Sequence, residues 1–533
     1  MENKLLPIVT ENSSFSNLRK NGYLYVDKTA YLAKLIAVQG RMCFFSRPRR
    51  FGKTLTVSTL EAIFQGKREL FKGLAIDQTD YDWKTYPVVH IDFGNCGKKT
   101  PMDLERWLKK NLQQIAQSYS IAPLDLSQQA DDVFTDLLLG LAPQGKIVIL
   151  VDEYDKVLSD NALASNVLEL RDTLKGIYDV IKTKGALLRF VFITGVTKFS
   201  KVGIFSGMNN LYDASLDPGY GTMMGYTQKE LEENFAGHID QGVKDAGMDR
   251  EAYLAKIKAM YDGYKFTVES ESVYNPVSIG LFFTQGHGRS FEDYWIDTGN
   301  MKLVMDMATT IDLDVSDAIA RGMSKRALES FDIANLKGMK GNPNKIQALL
   351  LQTGYLTIDH EDELERILFL RVPNGEVEDA YDVRLLECFH GGMEVDQEVG
   401  DMCYALKAGD TRKFIDILSP FMSGITYPAG TSREVVFATV VATLMRQMRH
   451  QLTSTVEDRT SGGRIDLSVV TDKHVYVIEY KVDQGADVAL KQIREKRYAD
   501  KFRLEKGKTI HLVGISFSSA NHAVLDWKEE ILD

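Results

Sequence analysis

Three stretches carry side chains whose types and spacing suit phosphate chemistry. The first is "FFSRPRRFGKTLT" (44–56), in which Gly52-Lys53-Thr54 separates an apolar run from an amphipathic one. Consecutive backbone N–H groups at a helix N-terminus surround an anion, and a lysine there reaches its outer oxygens. Arg47 stands where the familiar pattern has a glycine, so the loop alone is balanced between a nucleotide site and a basic turn. The second is "KIVILVDEYDK" (146–156), an apolar strand ending in two carboxylates. Asp152 is placed there to hold Mg²⁺ through water beside the Thr54 hydroxyl, and Glu153 to polarise an attacking water. The third is "GGRIDLSVVTDKHVYVIEYKVD" (462–483), which alternates as a β-hairpin.

In that hairpin, pairing Val470 with Val475 sets Asp466 directly opposite Glu479, and Lys481 shares their face because side chains repeat every second residue. Cross-strand neighbours have Cβ atoms about 5 Å apart, and carboxylates so close repel unless a cation sits between them. Such a pair suits metal-assisted hydrolysis of a phosphodiester, with Lys481 orienting water or neutralising the transition state. The plainer reading is an exposed hairpin with a cross-strand ion pair. Gly462-Gly463 before the aspartate permits close approach of a ligand. From Lys481 to Lys508 nine Lys/Arg face five Asp/Glu, a local net of +4. A solvated helix face is the commoner meaning of such a run, and phosphate contact is the functional one.

Elements must carry these residues. The first 220 or so residues alternate apolar runs with amphipathic stretches, an α/β pattern with strands expected at Met42–Ser46, Val88–Phe93, Ile147–Asp152 and Arg189–Thr194. Helical patterns cover Thr54–Phe64 and Val167–Lys182. From Gly225 to about Pro420 the chain reads mainly helical, with a capping box at Thr227/Glu230 and an extended piece at Ile367–Val372. The Gly, Pro and Ser of "MSGITYPAGTSR" (422–433) mark a turn before a final α/β domain.

Composition sets the outer bounds. A chain of 533 residues with 44% hydrophobic and 26% charged residues is globular and multi-domain. No apolar run reaches the length of a membrane span, and no secretory leader pattern opens the sequence, so a cytoplasmic protein is expected. Cys43, Cys96, Cys388 and Cys403 form no ligand-spaced set, which argues against zinc or disulfides. A net charge of −10 confines any nucleic-acid contact to a local patch.

"NGYLYVDKT" (21–29), "FFSRPRRFGKT" (44–54), "VDEYD" (151–155) and "FITGVTKFS" (192–200) together resemble the bacterial and archaeal AAA-ATPase-like family, whose loop carries arginine at the position of Arg47. The likeness continues through "MYDGYKF" (260–266) and "YNPVSI" (274–279). It implies a P-loop ATPase core with a parallel sheet over residues 1–224, a helical or winged-helix lid over 225–340 and a helical connecting region over 341–420. ATP and Mg²⁺ are the implied cofactors. Arg47, Pro48, Arg49, Arg50, Phe51, Gly52, Lys53 and Thr54 would hold the phosphates with Asp152, and Glu153 would be catalytic. Thr194 or Thr197 would sense the γ-phosphate, unless either merely caps the next turn. Any one of Arg47, Arg49 and Arg50 could neutralise γ-phosphate charge.

Residues 421–533 resemble the PD-(D/E)XK nuclease domain, a small α/β restriction-endonuclease-like fold. Asp466, Glu479 and Lys481 match its core, Glu434 its preceding acidic helix residue, and Gln492 a later helix position. Asp466, Glu479 and Glu434 would hold Mg²⁺. Relatives that carry Gln-x-x-x-Tyr would have tyrosine at 496, where this chain has Lys496 and then Tyr498, so the role of Gln492 stays open. The expectation is an ATP-coupled nuclease acting on nucleic acid, DNA favoured over RNA, with assembly of the chain with itself left open. The alternative is a nucleotide switch, or a signalling or defence ATPase, whose last domain binds nucleic acid without cutting.

Overall fold

The computed structural model describes residues 5–295 apart from 12, 13, 39, 163, 198–204, 206, 207 and 209; residues 322–324, 327, 328 and 343–425; and residues 440–532 apart from 442, 445, 449–451, 461, 462 and 506. These fall into two compact units, one holding the described residues through Glu378, the other those from Asp379 onward. The expected connecting region 341–420 is thus shared between the units.

The first unit is built on a five-stranded parallel sheet: β1 (Met42–Ser46), β2 (Val88–Asp92), β3 (Ile147–Asp152), β4 (Leu188–Gly195) and β5 (Leu211–Asp213), in the order β2-β3-β4-β1-β5. Every residue of β1, β3 and β4 is buried. Strands covered on both faces need continuous apolar runs, which is why these three were readable from sequence to within a residue or two. β4 lies between β1 and β3, so the strand carrying the phosphate loop and the strand carrying the acids flank a central one.

Amphipathic helices supply the covering layers. Helix Pro101–Ser118 starts with Thr100 accepting from the Asp103 N–H and proline in its first turn, and it buries Leu104, Leu108 and Leu112 on one stripe. Beyond the sheet, helices Gln228–Asn234, Ala236–Ala246, Arg250–Tyr261 and Pro276–Thr284 pack around Phe235, Tyr253, Tyr261, Tyr274 and Phe282. Both halves of the expected capping box form at Thr227 and Glu230. The extended piece expected at Ile367–Val372 is β8 (Ile367–Arg371), which pairs with β6 (Met323–Ser324) and β7 (Thr357–Asp362) in a three-stranded antiparallel sheet.

The second unit carries a five-stranded mixed sheet of β9 (Thr453–Thr460), β10 (Gly463–Val470), β11 (His474–Val482), β12 (Thr509–Phe517) and β13 (Val524–Leu532), in reverse order along the sheet. Only β11 and β12 run parallel, and helix Ala486–Glu495 makes the crossover between them. Val475, Val477, Leu490, Ile493, Ile510 and Leu512 form the core beneath that helix.

Candidate functional site

The loop between β1 and helix Lys53–Phe64 makes its turn without a glycine at 47. Its left-handed residues are Arg50 (φ 69°) and Gly52 (φ 85°), so Arg47 meets no steric penalty there. Arg47 is fully buried. Its guanidinium donates to the carbonyls of Ser46 (2.9 Å), Ser215 (2.7 Å) and Tyr220 (3.2 Å) and lies between the rings of Phe45 and Phe266. Phe51 continues this contact, packing edge-on against Tyr264 and Phe266. Pro48 lies against Gly354, where an added Cβ would come within 2.8 Å of it. The loop is therefore held from below by Arg47, while Arg49, Arg50, Phe51, Gly52, Lys53 and Thr54 line a cavity of about 560 Å³. That volume lies within the range of small-molecule sites. Lys53 donates to the carbonyls of Arg47 (3.1 Å) and Pro48 (2.9 Å), and burial lowers its pKa against the opposing charges of Asp152 and Glu153.

Asp152 is wholly buried at the end of β3. One oxygen accepts from the Glu153 N–H at 2.9 Å; the other, Oδ2, has no partner among the described residues. Burial pushes its carboxyl upward, against the Thr54 hydroxyl and the Lys53 ammonium. An orphaned buried carboxylate oxygen beside a hydroxyl fits a hard divalent cation, for which Asp152 and Thr54 would be the protein ligands. Glu153, in a left-handed conformation (φ 49°), lines the same cavity, and burial raises its pKa as well.

Five residues expected at the nucleotide, Arg47, Pro48, Asp152, Thr194 and Thr197, do not line the cavity. Arg47 is spent beneath the loop, as above. The Thr194 hydroxyl donates to the Phe45 carbonyl at 2.7 Å, and the Thr197 hydroxyl to Asp155 at 2.6 Å; neither lines the cavity. Sequence reasoning missed Asp155. Its buried carboxylate also accepts from the N–H groups of Val196 (3.2 Å) and Thr197 (2.6 Å), closing the turn after β4. Gly195 is the close approach that allows this, since a Cβ there would lie 2.3 Å from Asp155 Oδ1. The last residue of "VDEYD" was the available signal. An apolar wall completes the cavity, with Tyr25, Val26, Met223, Met224, Tyr226 and Val277 among its residues, of which Tyr25, Val26 and Val277 lie in the stretches that carry the family resemblance.

In the second unit the hairpin takes the expected register, with Val470 opposite Val475 and Leu467 opposite Ile478. At Asp466 the side chains take over from the ladder. Its N–H donates to Glu479 Oε1 (3.1 Å), and its own Oδ2 accepts from the Tyr480 N–H (3.0 Å). Glu479 is fully buried; its Oε2 accepts from Gln492 Nε2 (2.7 Å) and stands 3.5 Å from Lys481 Nζ. Burial first, then the Asp466 charge, pushes the Glu479 carboxyl up to about 7. Gln492 reaches Glu479 because helix Ala486–Glu495 runs close over Gly514, which lies in register beside Glu479; a Cβ on Gly514 would sit 2.5 Å from the Ala486 carbonyl. Tyr498, by contrast, is a core residue.

Two acids whose mutual charge is unfavourable, with a lysine beside them, fit a divalent ion between Asp466 and Glu479. Among the described residues no group of three or more His, Cys, Asp or Glu could hold a metal. Glu434 and Gly462 lie outside the described residues. Within the basic run after Lys481, Lys491 pairs with Glu495, Arg497 and Arg503 with Asp500, and Lys508 with Glu505, while Arg494 pairs with Glu530 from outside the run. Among the described residues, no helix is long and apolar enough to cross a membrane.

The sequence model of a family described as a predicted AAA-ATPase matches residues 10–205, and that of the PD-(D/E)XK nuclease superfamily matches residues 432–527. An uncharacterized protein from the vnfD 5′ region of Azotobacter chroococcum mcd 1 is 34% identical over 555 residues, covering 100% of both chains. The chain belongs to the AAA-ATPase-like family with a C-terminal PD-(D/E)XK nuclease superfamily domain. Among solved structures, the ORC2 protein of Aeropyrum pernix, in ADPNP–ADP complexes, aligns over 72% of this chain and 97% of its own at 13% identity and a TM-score of 0.22, too low to carry an argument. In this family setting, the Arg47 loop and the Asp152–Glu153 strand end fall within the ATPase-like domain, and Asp466, Glu479, Lys481 and Gln492 within the nuclease superfamily domain.

Proposed function

We propose that this protein binds and hydrolyses ATP in its first unit and uses that cycle to control a metal-dependent nuclease in its second, acting on DNA. The observation that carries the reading is the buried Glu479 carboxylate held against Asp466, Lys481 and Gln492 in a chain that also carries a lysine-floored phosphate loop. Arg49, Arg50 and Lys53 neutralise the polyphosphate, and the N–H groups opening helix Lys53–Phe64 orient it. Thr54 and Asp152 hold the cation that accompanies ATP. Glu153 accepts the proton of the attacking water. The helices from residue 225 to 284 act as the lid of that site.

In the nuclease, Asp466 and Glu479 hold a divalent ion, with Glu434 as the third acid. The ion, when bound, supplies charge for the leaving oxygen and a more acidic water. Lys481 holds the attacking water in line or stabilises charge on the phosphorus oxygens. Gln492 fixes the rotamer of Glu479 by donating to Oε2. The test is cleavage of a panel of DNA and RNA substrates with Mg²⁺, with and without ATP, by wild type, Lys53→Ala and Asp466→Ala. Asp466→Ala abolishes cutting and spares ATP hydrolysis; Lys53→Ala cripples ATP binding. Intact substrates under every nucleotide condition would sink the nuclease reading and leave a nucleotide-controlled binding protein.

A further inference from the structure

The "VDKT" segment has no part in the chemistry above, yet Lys28 lines the same cavity as Lys53. Its side chain is 13% exposed, and its ammonium donates to the Thr222 carbonyl (2.8 Å) and to Glu230 Oε2 (2.7 Å). Tyr31, one turn on, bonds the Thr222 hydroxyl at 2.7 Å. Glu230 Oε2 in turn accepts from the Thr227 N–H at 2.8 Å. The neighbours of Lys28 hold the opposite side: Asp27 accepts from the N–H and hydroxyl of Thr29 (2.8 and 2.7 Å) and from the Ala75 N–H (2.7 Å), and Thr29 Oγ1 accepts from the Ile76 N–H (3.1 Å). One three-residue turn is thus nailed to residues 75–76 and grips the strip from Thr222 to Glu230.

That strip supplies part of the apolar wall of the cavity. Met223, Met224, Gly225 and Tyr226 lie between a short 3₁₀ turn and helix Gln228–Asn234, and only Tyr226 among them is held by β-pairing, through a bridge to Tyr274. Gly225 is left-handed (φ 90°) and pressed against Val273. We propose that Lys28 is a positioning residue for the nucleotide: through Glu230 and Thr222 it sets the wall that receives the base and ribose. The inference rests on the reading of this cavity as an ATP site. Lys28 stabilises bound nucleotide in all phosphorylation states and contributes little to the chemical step, for which Lys53, Asp152 and Glu153 are responsible. An ion pair this sheltered fixes geometry, because breaking it leaves a buried charge uncompensated.

The test compares wild type with Lys28→Met, Lys28→Arg, Glu230→Gln and the Lys28→Met/Glu230→Gln double variant. Calorimetric Kd values for Mg-ATP and Mg-ADP are measured beside kcat for ATP hydrolysis and the melting temperature without ligand. Glu230→Gln keeps an acceptor for Thr227 and is the variant least able to unfold the strip. Wild type that binds neither nucleotide overturns the ATP reading itself. With wild-type binding established, Lys28→Met and Glu230→Gln each weaken ATP and ADP about tenfold, kcat at saturation stays within about threefold, Lys28→Arg recovers most of the loss, and the double variant is no weaker than the worse single one. Unchanged affinity in both single variants overturns the proposal. So does a loss confined to ATP in Lys28→Met with Glu230→Gln unaffected, which would make Lys28 a direct phosphate ligand. A parallel fall of affinity, kcat and unliganded melting temperature that arginine does not rescue would make its role merely structural.

Discussion

Glu479 combines a charge with a site that disfavours it. Its folded pKa lies above the value of a free glutamate, so the fold prefers the protonated form. The stability this lends is fully present below the unfolded pKa near 4.5 and is lost as pH rises through about 7. In EDTA, Glu479→Gln therefore melts with wild type at pH 4 and a few degrees above it at pH 8, since about 1 kcal/mol moves Tm by roughly 2–4 °C in a domain of this size. Wild type ahead of the variant at pH 8 would mean that another cation already balances the site. Arg50 bears a different strain, a left-handed backbone on a residue that carries a Cβ, worth about 1 kcal/mol. Arg50→Gly is expected to melt no earlier than wild type while binding ATP more weakly, measured by thermal denaturation and calorimetry. The acids and lysines were legible in the sequence because their chemistry is written in residue type. Asp155 was not, since a carboxylate that accepts backbone N–H groups looks like any other acid until the turn it closes is visible.

Among the elements, the buried parallel strands and the hairpin were easy to read, whereas the edge strands β5, β9 and β13 and the cavity walls were not. Period-two alternation placed Asp466 against Glu479, and the continuous apolar runs of β1, β3 and β4 marked buried parallel strands. The Met223–Tyr226 strip has no period, so nothing local marks it as a cavity wall. Likewise, the ion pairing of the basic helix depends on Glu530, far along the chain. The end of β4 gives a sharp test. Gly195→Ala forces a Cβ to 2.3 Å from Asp155 and 2.6 Å from the Tyr154 ring, so it should cost on the order of 2 kcal/mol or more and lower the melting temperature of the first unit. Gly97→Ala, with nothing within 4 Å, is the control and should melt with wild type.

At the scale of the whole chain, two compact units predict two unfolding transitions in calorimetry. Mg-ATP should raise only the transition of the unit that carries Lys53, by linkage, and Lys53→Ala should abolish that shift. A single transition raised as one would show that the units unfold as one cooperative body. The boundary between them at residues 378 and 379 falls inside helix Gly375–Phe389, and a continuous helical pattern gives no local sign of where one core ends and the next begins. Within the second unit, the bare α-carbon of Gly514 has a consequence for descent. A lineage could keep both acids and the lysine unaltered and still fall silent through one added methyl group, which would lift the neighbouring helix and withdraw the amide from Glu479. Screening relatives for activity by their charged residues alone would miss every such loss.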